Sequence, residues 1–243
     1  MDMPSENRHL PSLENILSAF FKTVTPNGTE SPFISPTQEA IRDMYAQKPT
    51  SAIITFDLGD VAISEAINEL KAHLLACNPG CLKALNTPLT YLLDEFICNI
   101  QQHAQTSQGY AYIGYNAVSD SIEIVIADMG ITIYGSYIAA QKHLDKLGNS
   151  DAEALNLAQN GYSVKNLPNA ENRGYGISSN IRMVVDGLHG ELAVMSGNAL
   201  LIQTSSQKEI LSLPEEIDYK GTMVMVVIPA SVPEDFNIYK YTN

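Results

Sequence analysis

Glu95, Asn99 and His103, a carboxylate, an amide and an imidazole, stand four residues apart in the segment Tyr91–His103. At ~100° per residue the three form one slanted row on a helix. With Glu95 set at zero, Leu92, Phe96, Ile100 and Leu93 fall between ~60° and ~160°, Asn99 near ~40° and His103 near ~80°. A polar row at the border of an apolar face reads as the wall of a cleft rather than a solvated surface. It offers a carboxylate able to orient or deprotonate a hydroxyl or water. Beside it is an amide oxygen, a hard donor suited to Mg²⁺.

A second carboxylate ends the apolar run Ile122-Glu123-Ile124-Val125-Ile126-Ala127-Asp128-Met129-Gly130. Strand parity points Asp128 the way Ile122, Ile124 and Ile126 point, so this acceptor-only group faces the core and needs a donor. A turn cap before Gly130 is one use for it. Recognition of an exocyclic amine such as adenine N6 is the other. The third group is Asn172-Arg173-Gly174-Tyr175-Gly176-Ile177, at the entrance of a helix, where glycines let backbone amides approach an anion. It lacks the third glycine and the preceding strand of a dinucleotide fingerprint, and the chain has no P-loop, so a nucleotide must be held differently.

The elements that carry these groups show in the pattern of apolar residues and breakers. Amphipathic spacing predicts a helix over Pro11–Val24, a short one over Thr37–Ala46, a strand over Ser51–Phe56 and a helix over Ile63–Leu75 closed by Asn78-Pro79-Gly80. Thr87-Pro88 reads as the start of the helix that ends near Ala104. Strands Tyr110–Tyr115 and Ser121–Ala127 form a hairpin through Asn116–Asp120. Helices follow at Tyr134–Leu147, closed by Gly148, and at Asp151–Asn160, closed by Gly161, the second with the capping box Ser150-x-x-Glu153. A helix over Ile177–Asp186 and strands around Leu192–Met195, Ala199–Gln203 and Thr222–Ile228 complete an α+β two-layer sandwich, with a mixed, mostly antiparallel sheet covered by helices on one face.

The 243 residues carry 27 acidic and 14 basic side chains, a net charge of −13. With the basic residues scattered, nonspecific nucleic-acid binding is not expected. No membrane-spanning run and no secretory leader is read, and Cys77, Cys81 and Cys98 suit a reducing compartment, so a cytoplasmic protein is expected.

Taken in order, Glu95-x-x-x-Asn99-x-x-x-His103, Asp128-x-Gly130, Arg173-Gly174-x-Gly176, Gly187-x-x-Gly190-Glu191-Leu192 with Ser196-Gly197, and Gly221-Thr222 resemble the GHKL superfamily. This superfamily includes the ATP-binding domains of histidine kinases, anti-sigma-factor serine kinases, type IIA topoisomerases, MutL proteins and heat-shock chaperones. The resemblance covers residues 85–230 and leaves 1–80 unassigned and 231–243 as a tail. It implies a Bergerat-type ATP-binding fold with ATP and Mg²⁺ as cofactors. Glu95 is then the base or water-orienting residue and Asn99 the magnesium ligand. Asp128 binds adenine N6, Gly130 lets the base lie against the backbone, and Thr222 supports Asp128. Gly174 and Gly176 line the phosphate site, Arg173 and Lys165 offer phosphate contacts, His103 matches a frequent family position, and residues 131–173 form the lid. Thr132 stands where the family's first glycine box usually has its second glycine. With no phosphoacceptor hairpin upstream, the resemblance implies a stand-alone kinase or ATP-dependent regulator of a partner protein, by analogy with anti-sigma-factor kinases acting on STAS-type partners. An ATPase clamp that homodimerises on ATP, and a nucleotide-sensing module without catalysis, stay open beside it.

Overall fold

The computed structural model describes residues 51–164, 176–213 and 218–241. The helices expected at Pro11–Val24 and Thr37–Ala46, together with Lys165, Arg173 and Gly174, lie outside the described residues. Seven strands make one sheet: β1 (Ser51–Asp57), β2 (Gln108–Asn116), β3 (Ser121–Asp128), β4 (Glu191–Gly197), β5 (Ala199–Gln203), β6 (Lys208–Ser212) and β7 (Tyr219–Pro229). Their order is β1-β2-β3-β7-β4-β5-β6. Every neighbouring pair is antiparallel, where the sequence allowed a mixed sheet. The helices are α1 (Asp60–Cys77), α2 (Cys81–His103), α3 (Ile133–Ala140), α4 (Asp151–Gln159) and α5 (Ile177–Arg182), the last running into a wider π turn, Met183–Gly187. The described chain is an α+β sandwich.

One face of the sheet, through Ile54, Ile113, Ile124, Val194 and Val226, packs against Leu70 and Leu74 of α1, Leu89, Leu92 and Phe96 of α2, and Ile181 of α5. β1 and α1 therefore share the sheet and core of the later residues, although they precede residue 80. The opposite face is also buried, with Tyr112, Val125, Met195, Met223 and Met225 forming a second apolar cluster. A third cluster, Tyr137, Leu147, Ala154 and Leu157, joins α3 to α4.

Two helix boundaries differ most from the sequence reading, each for a physical reason. α2 begins at Cys81, so Pro88 lies inside it. A proline within a helix costs about 3 kcal/mol. Here the apolar stripe continues upstream through Cys81 and Leu85, 3% and 0% exposed. Full burial of such a side chain is worth about 1.5–3 kcal/mol, enough to offset the proline. The helix expected over Tyr134–Leu147 stops at Ala140, where Gln141 turns left-handed (φ 52°). An unbroken helix would carry Leu147 roughly 15 Å beyond Tyr137, at 1.5 Å per residue. Both residues belong to the small α3/α4 core, so the chain must double back between them. Elsewhere the local signals hold: Ser150 caps α4 by accepting from Glu153 N–H at 3.2 Å, and Asn116 Oδ1 accepts from Val118 N–H at 3.1 Å in the β2–β3 turn.

Candidate functional site

A cavity opens between the C-terminal half of α2, the ends of β3 and β7, the start of α3, residues 161–164 and the start of α5. Five of the residues singled out from sequence line it: Asn99, His103, Asp128, Gly176 and Thr222. Apolar residues from the same elements, Phe96, Ile100, Ile126, Ile177 and Val224, also line it. The slanted row on α2 thus borders the cleft from Asn99 onward. Glu95, one turn earlier, is half-buried and outside the wall.

Sheet register explains how the polar end is assembled. Ala127 faces Met223 across β3 and β7, and Thr222 faces Ser196 across β7 and β4. Asp128, the next residue along β3, therefore falls beside Thr222, and three adjacent strands set Asp128, Thr222 and Ser196 in a row. Asp128 is 3% exposed. Its Oδ1 accepts from Gly130 N–H at 2.9 Å, and its carboxylate also accepts from Thr222 N–H. Burial outweighs both donors and pushes the carboxyl up to about 7. Its own carbonyl accepts from the buried Tyr219 hydroxyl at 3.0 Å.

Two glycines are required here by close approach. A side chain on Gly130 would bring a Cβ within 1.8 Å of the Ala104 carbonyl oxygen. On Gly221, with φ 114°, it would come within 2.2 Å of the Asp128 carbonyl oxygen. Gly130 therefore seats the β3 end on α2, and Gly221 lets β7 reach Asp128.

Thr132, in place of a glycine, caps α3. Its Oγ1 accepts from Gly135 N–H at 3.1 Å, and the Ser136 hydroxyl reaches the carbonyls of Thr132, at 3.1 Å, and His103, at 3.3 Å. On the far wall Tyr137 donates to the Tyr162 carbonyl. His143 packs edge-on to both Tyr137 and Tyr162, and Lys146 lies over the Tyr162 ring, 4.4 Å from its centroid.

Chemically, the cavity sets a carboxylate acceptor, Asp128, and an amide, Asn99, in a largely apolar wall. Among the described residues no cluster of three His, Cys, Asp or Glu side chains could hold a metal unaided. Asn99 brings one hard amide oxygen to the wall, the kind of donor that Mg²⁺ accepts. Sequence reading missed Ser196 as a site residue, as well as Tyr219, Ser136 and the Tyr137/Tyr162 wall. Ser196 and Tyr219 acquire their roles through cross-strand register, which spacing along the chain does not reveal. The described helices include none long and apolar enough to cross a membrane. Comparison of the chain with family models, curated proteins and solved structures found no match.

Proposed function

We propose that the chain is a GHKL-type Mg-ATP-binding protein that acts as a stand-alone kinase or ATP-dependent regulator of a partner protein in the cytoplasm. The observation that carries this reading is the buried Asp128 carboxylate in the wall of a largely apolar cavity that Asn99, Thr222 and Gly176 also line. A planar purine suits the apolar slot, and its exocyclic amine would give Asp128 a further donor beside the N–H groups of Gly130 and Thr222, which burial outweighs. Asn99 would hold Mg²⁺ against the phosphates, and the metal would neutralise phosphate charge. Glu95, a turn away on α2 and outside the wall, is suited to orienting a water or hydroxyl that enters with the ligand. Binding and turnover are then separable on one helix.

Titration calorimetry with Mg-ATP tests the reading. The wild type should bind, and Asp128→Ala should lose roughly 10- to 100-fold in affinity, the worth of a hydrogen bond to a charged group. Absence of binding, or equal binding by the variant, would overturn the assignment. Glu95→Gln should retain binding and lose hydrolysis or phosphotransfer to the partner. Unchanged turnover would remove Glu95 from its role.

A further inference from the structure

Ser196 lies behind the cavity wall, 1% exposed, where the β4–β7 register shifts between Ser196 and Gly197. Its hydroxyl has three polar neighbours. Ile133 N–H, at the start of α3, donates to it at 2.8 Å. The Gly221 carbonyl lies at 3.2 Å, and Thr222 Oγ1 at 3.1 Å.

A hydroxyl has one proton and two lone pairs, so the count can be closed. Ile133 N–H takes one lone pair. The Gly221 carbonyl can only accept, so it takes the Ser196 proton. The lone pair that remains is satisfied if Thr222 donates. In the reverse arrangement, with Ser196 donating to Thr222, the Gly221 carbonyl loses this donor, and a polar group left unpaired in a buried place is costly. The arrangement that satisfies all four groups therefore spends the Thr222 proton inward and leaves its lone pairs toward the cavity.

We propose that Ser196 fixes the hydrogen-bonding sense of Thr222, so that Asp128 and Thr222 both face the ligand as acceptors and together select an amino group over a keto oxygen. The inference rests on the nucleotide reading above and adds a specificity-determining residue to it. An exocyclic amine carries two N–H donors, which match two acceptors. A keto base presents an acceptor at that position and meets Thr222 with like polarity, leaving a buried acceptor unpaired. Without the Ser196 hydroxyl, Thr222 regains its proton for the cavity and can donate to the keto oxygen, while Asp128 accepts from the neighbouring ring N–H.

The test compares ADP with IDP, which differ by amino against keto at that one ring carbon. Affinities are measured by calorimetry on the full chain with Mg²⁺ at pH 8.5, so that Asp128 is ionised. The wild type should prefer ADP by about 100-fold or more, because a site built to pair a polar group rejects the analogue that cannot meet it. Ser196→Ala should narrow that preference about tenfold, chiefly through tighter IDP binding, and Ser196→Thr, which keeps a hydroxyl, should restore it. A merely structural role for Ser196 would weaken both ligands together and leave the ratio unchanged, and that result would overturn the inference. Should Ser196→Ala fail to fold, Thr222→Val removes the acceptor directly. It should then weaken ADP about tenfold with IDP unaffected, and equal losses would overturn the inference by the same logic. Failure of the wild type to bind ADP would instead sink the nucleotide reading, and this inference with it.

Discussion

Asp128 has two demands on it that pull its protonation in opposite directions. Burial favours the neutral acid and holds the carboxyl at about 7, against an ordinary value of 3.8, while acceptance from the proposed amine would favour the carboxylate. Between these two values the folded chain binds a proton at Asp128 that the unfolded chain has released. The slope of stability with pH is therefore negative in that window, and this contribution is fully present below the unfolded value and lost as pH rises through about 7. Asp128→Asn, neutral at all pH, should match the wild type in melting temperature near pH 4 and exceed it at pH 8. Nucleotide affinity of the wild type should do the reverse, rising with pH through 7 as the acceptor forms, with no such rise in the variant. Parallel pH profiles of melting for the two proteins would show that Asp128 is not buried as described. The neighbours of Asp128 differ in how much of this the sequence discloses. Asp128 and Gly130 are legible because strand parity and a glycine two residues on need only local information. Tyr219, which holds the Asp128 carbonyl, is ninety-one residues away in sequence and becomes its partner only through the β3–β7 pairing.

Elements were legible where local chemistry decides them and illegible where packing does. The hairpin β2–β3 and the Ser150 cap follow from residues within a few positions of each other. The α2 start and the α3 end do not, since one is set by burial of Leu85 against a distant core and the other by the return of Leu147 to Tyr137. The short α3 matters to the site because it opens the segment 131–173 expected as the lid. Thr132 makes that link stiff where a glycine would make it loose. The Thr132 cap, the bond from Ile133 N–H to Ser196, and Ile131 N–H donating to the Ala104 carbonyl at 2.7 Å fix three successive residues to three different elements. Thr132→Ala should cost about 1 kcal/mol of stability, the usual worth of a helix cap. Amide exchange should accelerate most at Gly135, whose donor loses its acceptor. Uniform acceleration across α3 and α4 would mean that the cap supports the whole segment rather than its entrance.

The whole molecule carries a charge of −13, and the proposed tetra-anionic ligand would have to approach against it. Two effects oppose each other. The summed field of the acidic surface repels ATP over roughly a Debye length, about 10 Å at 0.1 M salt. On the proposed reading the local groups would attract it only at contact: Asp128 through the base, Asn99 through Mg²⁺, and cations such as Lys146, held over the wall residue Tyr162. Magnesium is then more than a local ligand, because it cancels much of the ligand's charge before the field acts on it. Chelation of Mg²⁺ should lower ATP affinity by about 100-fold at low salt, near 2.7 kcal/mol, below the roughly 4 kcal/mol of one close charge pair at a protein surface. Part of that loss should return as monovalent salt is raised and the repulsion is screened. Adenosine separates the two effects, since it keeps the amine that Asp128 would recognise and lacks phosphate. Its affinity should be weak but indifferent to both Mg²⁺ and salt. Adenosine binding that followed magnesium as ATP does would mean that the ion orders the protein, and that the acidic surface is not what makes the metal necessary.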